Sequence, residues 1–191
     1  MKQLIRRILG RGSDSDRDGR LAIRGVYSVD VYDANRLRQR WPAWGSLSDY
    51  GRLQRLRNGT VDPRYTQTTT NQILVTYLQN LTDYVDPNNS ATNISASHLA
   101  VGTADTEPVP SNTALGSEVF RTSVGSTTDN GQDLATTTLI GANSANGNTL
   151  REAGLVDDAT NTFINRTLIN PVEKTSDIEV TINASIFHQA L

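Results

Sequence analysis

The sequence predicts a mainly β protein: an antiparallel β-sandwich with one packed α-helix and an extended N-terminal anchoring region. Three observations predict it. Thr (23), Asn (16) and Ser (15) crowd a chain of 191 residues that is only 36% apolar, a bias toward strands joined by polar turns. Near the C-terminus Ile178, Val180, Ile182, Ala184 and Ile186 alternate with Asp177, Glu179, Thr181, Asn183 and Ser185, the period-2 pattern of a strand with one core face and one face toward water or a neighbour. Turn signals at Pro108–Asn112, Asp129–Gly131 and Asn143–Asn148 punctuate the second half, and Asn and Gly there tolerate the positive φ that tight turns need.

From the N-terminus, Leu4, Ile5, Ile8 and Leu9 form an apolar stripe flanked by Lys2, Arg6 and Arg7. A helix this short does not persist alone in water, so the stripe reads as a docking peptide or as a frayed terminus. It has no apolar run behind it to act as a secretory signal. Residues 10–19 read as a polar linker. Tyr27, Val29 and Val31 alternate with polar neighbours and predict a strand. Residues 35–66 show no clean period and hold Arg36, Arg38, Arg40, Trp41 and Trp44. The stretch 68–81 predicts the helix, with Ile73, Leu74, Tyr77, Leu78 and Leu81 on one face and Thr69 or Thr70 as its cap. From Ser95 onward the chain reads as strands, with Leu99, Val101, Leu155, Ile178, Val180 and Ile182 pointing inward. The expected division is 1–25, docking peptide and linker; 26–94, strand, insertion and helix with a basic anchor surface; and 95–191, the sandwich.

Charge is split along the chain. Residues 1–66 hold 14 Lys/Arg against 7 Asp/Glu, and residues 67–191 hold 4 against 13. Arg supplies 16 of the 18 basic residues, which suits fixed bidentate contacts; biased codon usage would give the same count. The basic third predicts docking on an acidic partner, with Leu4, Ile5, Ile8, Leu9, Arg36, Arg38, Arg40, Trp41 and Trp44 as contacts. Aromatic and Arg side chains are enriched at protein interfaces, and the same aromatics could stack on sugars.

Five segments carry a resemblance: Leu99-Ala-Val-Gly-Thr103, Asn112-Thr-Ala-Leu-Gly-Ser-Glu-Val-Phe-Arg121, Thr149-Leu-Arg-Glu-Ala-Gly-Leu155, Asn165-Arg-Thr-Leu-Ile169 and Glu173-Lys-Thr-Ser-Asp-Ile-Glu-Val-Thr-Ile182. Their order resembles a family of small virion structural proteins of tailed phages and archaeal tailed viruses, over roughly half the chain. Against that family, 35–66 resembles an insertion where a shorter hairpin is expected. The resemblance implies a virion location and a role on the capsid surface, as a turret or decoration, or in a baseplate or tail-fibre knob.

The chemistry of the residues points away from catalysis. Cys is absent, which removes thiolate chemistry. No Gly-x-Ser-x-Gly and no phosphate-binding loop occurs, and His98 and His188 are not at ligand spacing. Glu152 beside Arg151 reads as a structural ion pair or turn anchor. Asp14, Asp16 and Asp18 with Gly19 match the opening of a calcium loop, but Gly25 stands where the closing Glu belongs. The run is therefore a solvated linker or a looser Ca²⁺ or Mg²⁺ site completed by another subunit. Six Asn-x-Ser/Thr sequons occur, at Asn58, Asn80, Asn88, Asn93, Asn165 and Asn183. No window is long enough for a transmembrane helix. The expectation is a non-enzymatic homo-oligomer, a trimer or pentamer, that binds other virion proteins and neither membrane nor specific nucleic acid. The alternative is a host-adhesion carbohydrate-binding module that takes a host-surface glycan.

Overall fold

The structure, a computed structural model, describes residues 21–86, 88 and 93–190. The expected docking residues Leu4, Ile5, Ile8 and Leu9 and the acidic run Asp14, Asp16 and Asp18 lie outside the described residues.

The fold is the β-sandwich that the alternation predicted. One sheet has five strands: β1 (Leu21–Asp33), β2 (Tyr65–Thr70), β6 (Ser126–Asp129), β7 (Asp133–Ile140) and β11 (Ile178–Ala190), in the order β2-β1-β11-β7-β6. The other has β3 (Gln72–Ile73), β4 (His98–Gly102), β5 (Glu118–Ser123), β8 (Thr149–Asp157) and β10 (Asn165–Glu173), in the order β3-β10-β8-β4-β5, with β9 (Thr162–Phe163) added to β8. All pairings are antiparallel. All six residues expected to point inward, from Leu99 to Ile182, are buried. They meet Tyr27, Val29 and Val31 of β1 in one core between the sheets.

The sandwich is not confined to residues 95–191. β1 pairs with β11 along its whole length, from Leu21↔Ala190 to Asp33↔Ile178, and β2 adds to its other side. A boundary at residue 95 would strip two strands from the five-stranded sheet and expose β11. The physical reason is non-local: the longest ladder in the molecule joins the first described strand to the last.

The expected helix starts late. Tyr65–Thr70 is the edge strand β2, and Gln72–Ile73 is β3. The helix is Val75–Val85, preceded by Leu74, with no side-chain cap. The Thr run 68–70 prefers extended backbone and finds a ladder beside β1, so neither Thr69 nor Thr70 caps anything. Tyr77 and Leu78 still enter the main core.

Residues 34–57 form two helices and a turn where no period was legible. Helix α1 is Ala34–Arg40, capped by Asp33, whose carboxylate accepts from the N–H groups of Asn35 and Arg36. A 3-10 turn follows at Trp44–Ser46. Helix α2 is Asp49–Arg57, with Ser48 accepting from the Gly51 N–H and Arg55 and Arg57 in the last turn, favourable at a helix C-terminus. Val75–Val85 is then α3. Leu37, Trp44, Leu53 and Leu56 pack on Tyr32 and Leu139, on the outer face of the five-stranded sheet. The segment is thus a lid on its own sheet, and Glu179 and Thr181, expected to meet water or a neighbour, are buried beneath it.

Candidate functional site

Two carboxylates on the two outer faces organise what this molecule has by way of polar sites. The first is Glu152 of β8, fully buried. It pairs across the ladder with Gly102 of β4, and the β4–β5 connection folds over it. Its Oε1 accepts from the backbone N–H of Ser117 (2.7 Å) and Ala104 (3.3 Å). Its Oε2 accepts from the Gly116 N–H (2.9 Å) and from Arg166 Nε (2.8 Å). Arg166 then reaches on with Nη1 to Asn112 Oδ1 and Nη2 to the Thr106 carbonyl, both at 2.9 Å. A Cβ at Gly102 would collide with the Glu152 carboxylate, so that strand position must be glycine. Four of the five resembling segments converge here, on Gly102, Asn112–Ser117, Glu152 and Arg166. The expected ion pair of Glu152 exists, but its partner is Arg166 rather than the adjacent Arg151.

The fifth segment supplies Lys174, 1% exposed. Its ammonium donates to Asn146 Oδ1 and the Thr175 carbonyl, both at 3.0 Å. Burial pushes its pKa down to about 8, against the opposing pull of the Glu179 charge.

The second carboxylate is Glu179 of β11, 1% exposed. The Trp44 indole N–H donates to its Oε1 at 2.9 Å, and Arg52 Nη1 lies 3.7 Å from the same oxygen. Arg52 also pairs with Asp49. Glu179 Oε2 and Arg52 Nε are buried without a hydrogen-bond partner among the described residues. Glu179 and Arg52 are among the residues that line a cavity of about 170 Å³ between the lid and the sheet, but these two atoms have almost no accessible surface. The sequence signal for this site was thin: a buried indole needs an acceptor, but nothing local says that the acceptor lies 135 residues away.

Of the expected docking residues, Arg36, Arg38 and Arg40 are exposed on α1. Trp41 is half-buried and stacks on Trp44 with ring centroids 5.3 Å apart. The guanidiniums of Arg40 and Arg55 lie 5.9 and 6.0 Å from the Trp41 ring, within range of a cation–π contact. Trp44 does not belong with them. It is 0% exposed, because the lid closes over it and Glu179 takes its N–H, so it anchors the lid and offers no surface to a partner.

His98 meets Ser97 Oγ through Nδ1 and Ser123 Oγ through Nε2, each at 3.1 Å, with Asp158 4.0 Å from Nε2. Asp158 lies beyond hydrogen-bond distance of the ring and pairs instead with Arg121 at 2.9 Å. His188 contacts the Tyr77 hydroxyl and the Gln132 carbonyl. The Asn165 sequon is sealed in the interior, where its Oδ1 accepts from the Tyr27 hydroxyl and the Leu155 N–H; Asn58 and Asn93 are exposed. Among the described residues no cluster of three or more His, Cys, Asp or Glu could hold a metal ion, and no helix is long and apolar enough to cross a membrane.

No protein-family model matches this chain, and no curated protein or solved structure does. The resemblance to tailed-virus virion proteins rests on the five segments themselves.

Proposed function

We propose that this chain is a non-enzymatic structural protein of a tailed-virus virion, a homo-oligomeric surface appendage seated on an acidic neighbour through its basic first third. On the capsid it would be a turret or decoration; on the tail, a short baseplate or tail-fibre knob. The observation that carries the reading is the lid's outer surface. Arg36, Arg38, Arg40, Arg55, Arg57 and Arg64 have no carboxylate within ion-pair distance among the described residues. The guanidiniums of Arg40 and Arg55 over the Trp41 ring, with the exposed Arg36 on the same helix as Arg40, suit an acidic partner surface, since Arg presents a rigid fork to carboxylates. The open edges β2 and β6 favour self-association as a means of covering unpaired backbone, and closed cyclic symmetry is its usual form.

The test is retention on purified particles. A deletion of residues 2–19 stops short of β1 and leaves the sandwich intact; under this reading it abolishes incorporation. Normal incorporation of both that deletion and the triple change Arg36→Gln, Arg38→Gln, Arg40→Gln refutes the docking role. A monomer inside the assembled particle, with no self-contact, refutes the oligomer. The second reading, a host-adhesion carbohydrate-binding module on the virion, draws support from the polar cavity under the lid.

A further inference from the structure

We propose that this chain docks on a second copy of itself, head to tail, with the Arg36, Arg40, Trp41 and Arg55 surface of one copy's lid seated on the Asp105–Val109 strip of the next copy's β4–β5 loop. The proposal rests on the homo-oligomer part of the reading above and names the acidic partner of the lid as this chain itself.

The strip is built outward from the Glu152 fastening, and its backbone is tied at several points. The Ala104 N–H donates to Glu152, and the Thr106 carbonyl accepts from Arg166. The Val109 N–H donates to Asn112 Oδ1, and the Pro110 carbonyl accepts from the Val75 N–H, both at 2.9 Å. Pro108 and Pro110 fix φ on either side of Val109. Between these ties the side chains face outward: Asp105 and Glu107 are exposed, and Val109 is 46% exposed. Neither carboxylate has a cation within ion-pair distance among the described residues. Two charges and one apolar side chain thus stand on a loop that is already ordered, and binding through them loses little further loop entropy.

The lid carries the complement. Arg40 and Arg55 lie over the Trp41 ring. Arg36 sits one turn before Arg40 on α1, which places their Cβ atoms about 6 Å apart. Asp105 and Glu107 are separated by one residue, a reach of at most about 7 Å along the chain. The two pairs of charges match in spacing, and the half-buried Trp41 offers Val109 an apolar contact between them. The acidic part of the chain has little to offer the strip. Of its four basic residues, Arg121 pairs with Glu118 and Asp158, Arg166 pairs with Glu152 and Lys174 is buried, which leaves Arg151. The lid supplies the cations that this half lacks.

Placement sets the symmetry. The lid covers the outer face of the five-stranded sheet, and the strip covers the outer face of the other sheet. Surfaces on opposite faces cannot meet reciprocally across a two-fold axis. The contact is therefore heterologous and repeats from copy to copy until a ring closes.

The experiment follows the isolated full chain by sedimentation velocity and light scattering over a concentration and salt series. One variant reverses the lid, Arg36→Glu with Arg40→Glu. A second reverses the strip, Asp105→Lys with Glu107→Lys. A third carries all four changes. These positions are exposed, so the fold is kept, as circular dichroism checks. The control is Asp83→Lys with Asp86→Lys at the end of α3, which makes the same change in net charge elsewhere. Expected is self-association that weakens with salt, falls at least tenfold in each reversed pair, returns in the fourfold variant and is unchanged in the control. A monomer at every concentration in low salt overturns the proposal. So does a loss that the fourfold variant does not recover, or an equal loss in the control. Association that ignores both reversed pairs also overturns this contact but leaves the homo-oligomer reading standing, and that reading is decided separately by self-contact inside the assembled particle.

Discussion

Glu152 and Glu179 occupy matching places, each buried on the outer face of its sheet under a covering segment. Glu152 accepts four hydrogen bonds, three from backbone N–H groups of the covering loop and one from Arg166. Glu179 accepts one, from Trp44, and leaves Oε2 unpaired. The difference separates two uses of a buried charge. Around Glu152 every lone pair has a designated partner, the charge is neutralised at 2.8 Å, and the result is a fastening that holds residues 104–117 on the sheet. Around Glu179 the nearest cation is 3.7 Å away and already paired with Asp49, and the second carboxylate oxygen has no hydrogen-bond partner among the described residues. A carboxylate satisfied by its own chain fastens structure, and one left half-satisfied contributes less to holding its cover in place.

The comparison can be broken most directly at Glu152. Glu152→Gln leaves the Arg166 guanidinium buried without a counter-charge and turns an amide toward backbone donors. We expect a loss of about 3–5 kcal/mol, measured by urea denaturation. A loss below about 1 kcal/mol would show that the four-bond arrangement is not a fastening.

Lys174 sharpens the comparison through pH. Its pKa is about 8 in the folded chain against 10.5 for an ordinary lysine. Between those values the folded chain has shed the proton and the unfolded chain still binds it, so this residue's contribution to stability rises with pH across the window. The increment reaches up to about 3 kcal/mol between pH 7.5 and pH 10.5. Lys174→Met should lack it when both proteins are unfolded in urea along the same pH series. Because the Glu179 charge pulls the Lys174 pKa upward, Glu179→Gln should widen the window toward lower pH.

Glu179→Gln itself should be mild. The amide oxygen still accepts from Trp44, and the charge removed had only a distant, shared partner. The expected cost is about 1 kcal/mol or less, several-fold below the same substitution at Glu152. Equal costs at the two positions would erase the distinction.

The smallest effect on stability belongs to the lid's outer surface. Replacing Arg36, Arg38 and Arg40 by Gln should change stability by no more than about 0.5 kcal/mol per site. The same triple variant should flatten the salt dependence of retention on particles, because exposed charges lose their attraction within a Debye length of about 8 Å at physiological ionic strength. Trp41→Ala should weaken retention at every salt concentration, since apolar burial is not screened.

The alternation from Ile178 to Ile186 by itself determined a strand and its inward face, and Tyr27, Val29 and Val31 did the same for β1. Side-chain parity is local, a matter of successive Cβ atoms pointing to opposite sides. The apolar residues Tyr77 and Leu78 likewise determined a helix face, although the preceding Thr run hid its start. Only the tertiary structure decided what covers the other face of each strand. Asp177, Glu179 and Thr181 read as a water-facing set, yet Glu179 and Thr181 are buried because a segment more than 100 residues upstream folds over them. Trp44 read as an interface anchor for the same reason: a buried aromatic looks alike in sequence whether its cover is a partner or its own chain. The pairing of β1 with β11, the convergence of four motifs on Glu152 and the cavity beside Glu179 are all contacts between residues distant in sequence. Local spacing records the period of an element, and closure of the chain on itself chooses its neighbours.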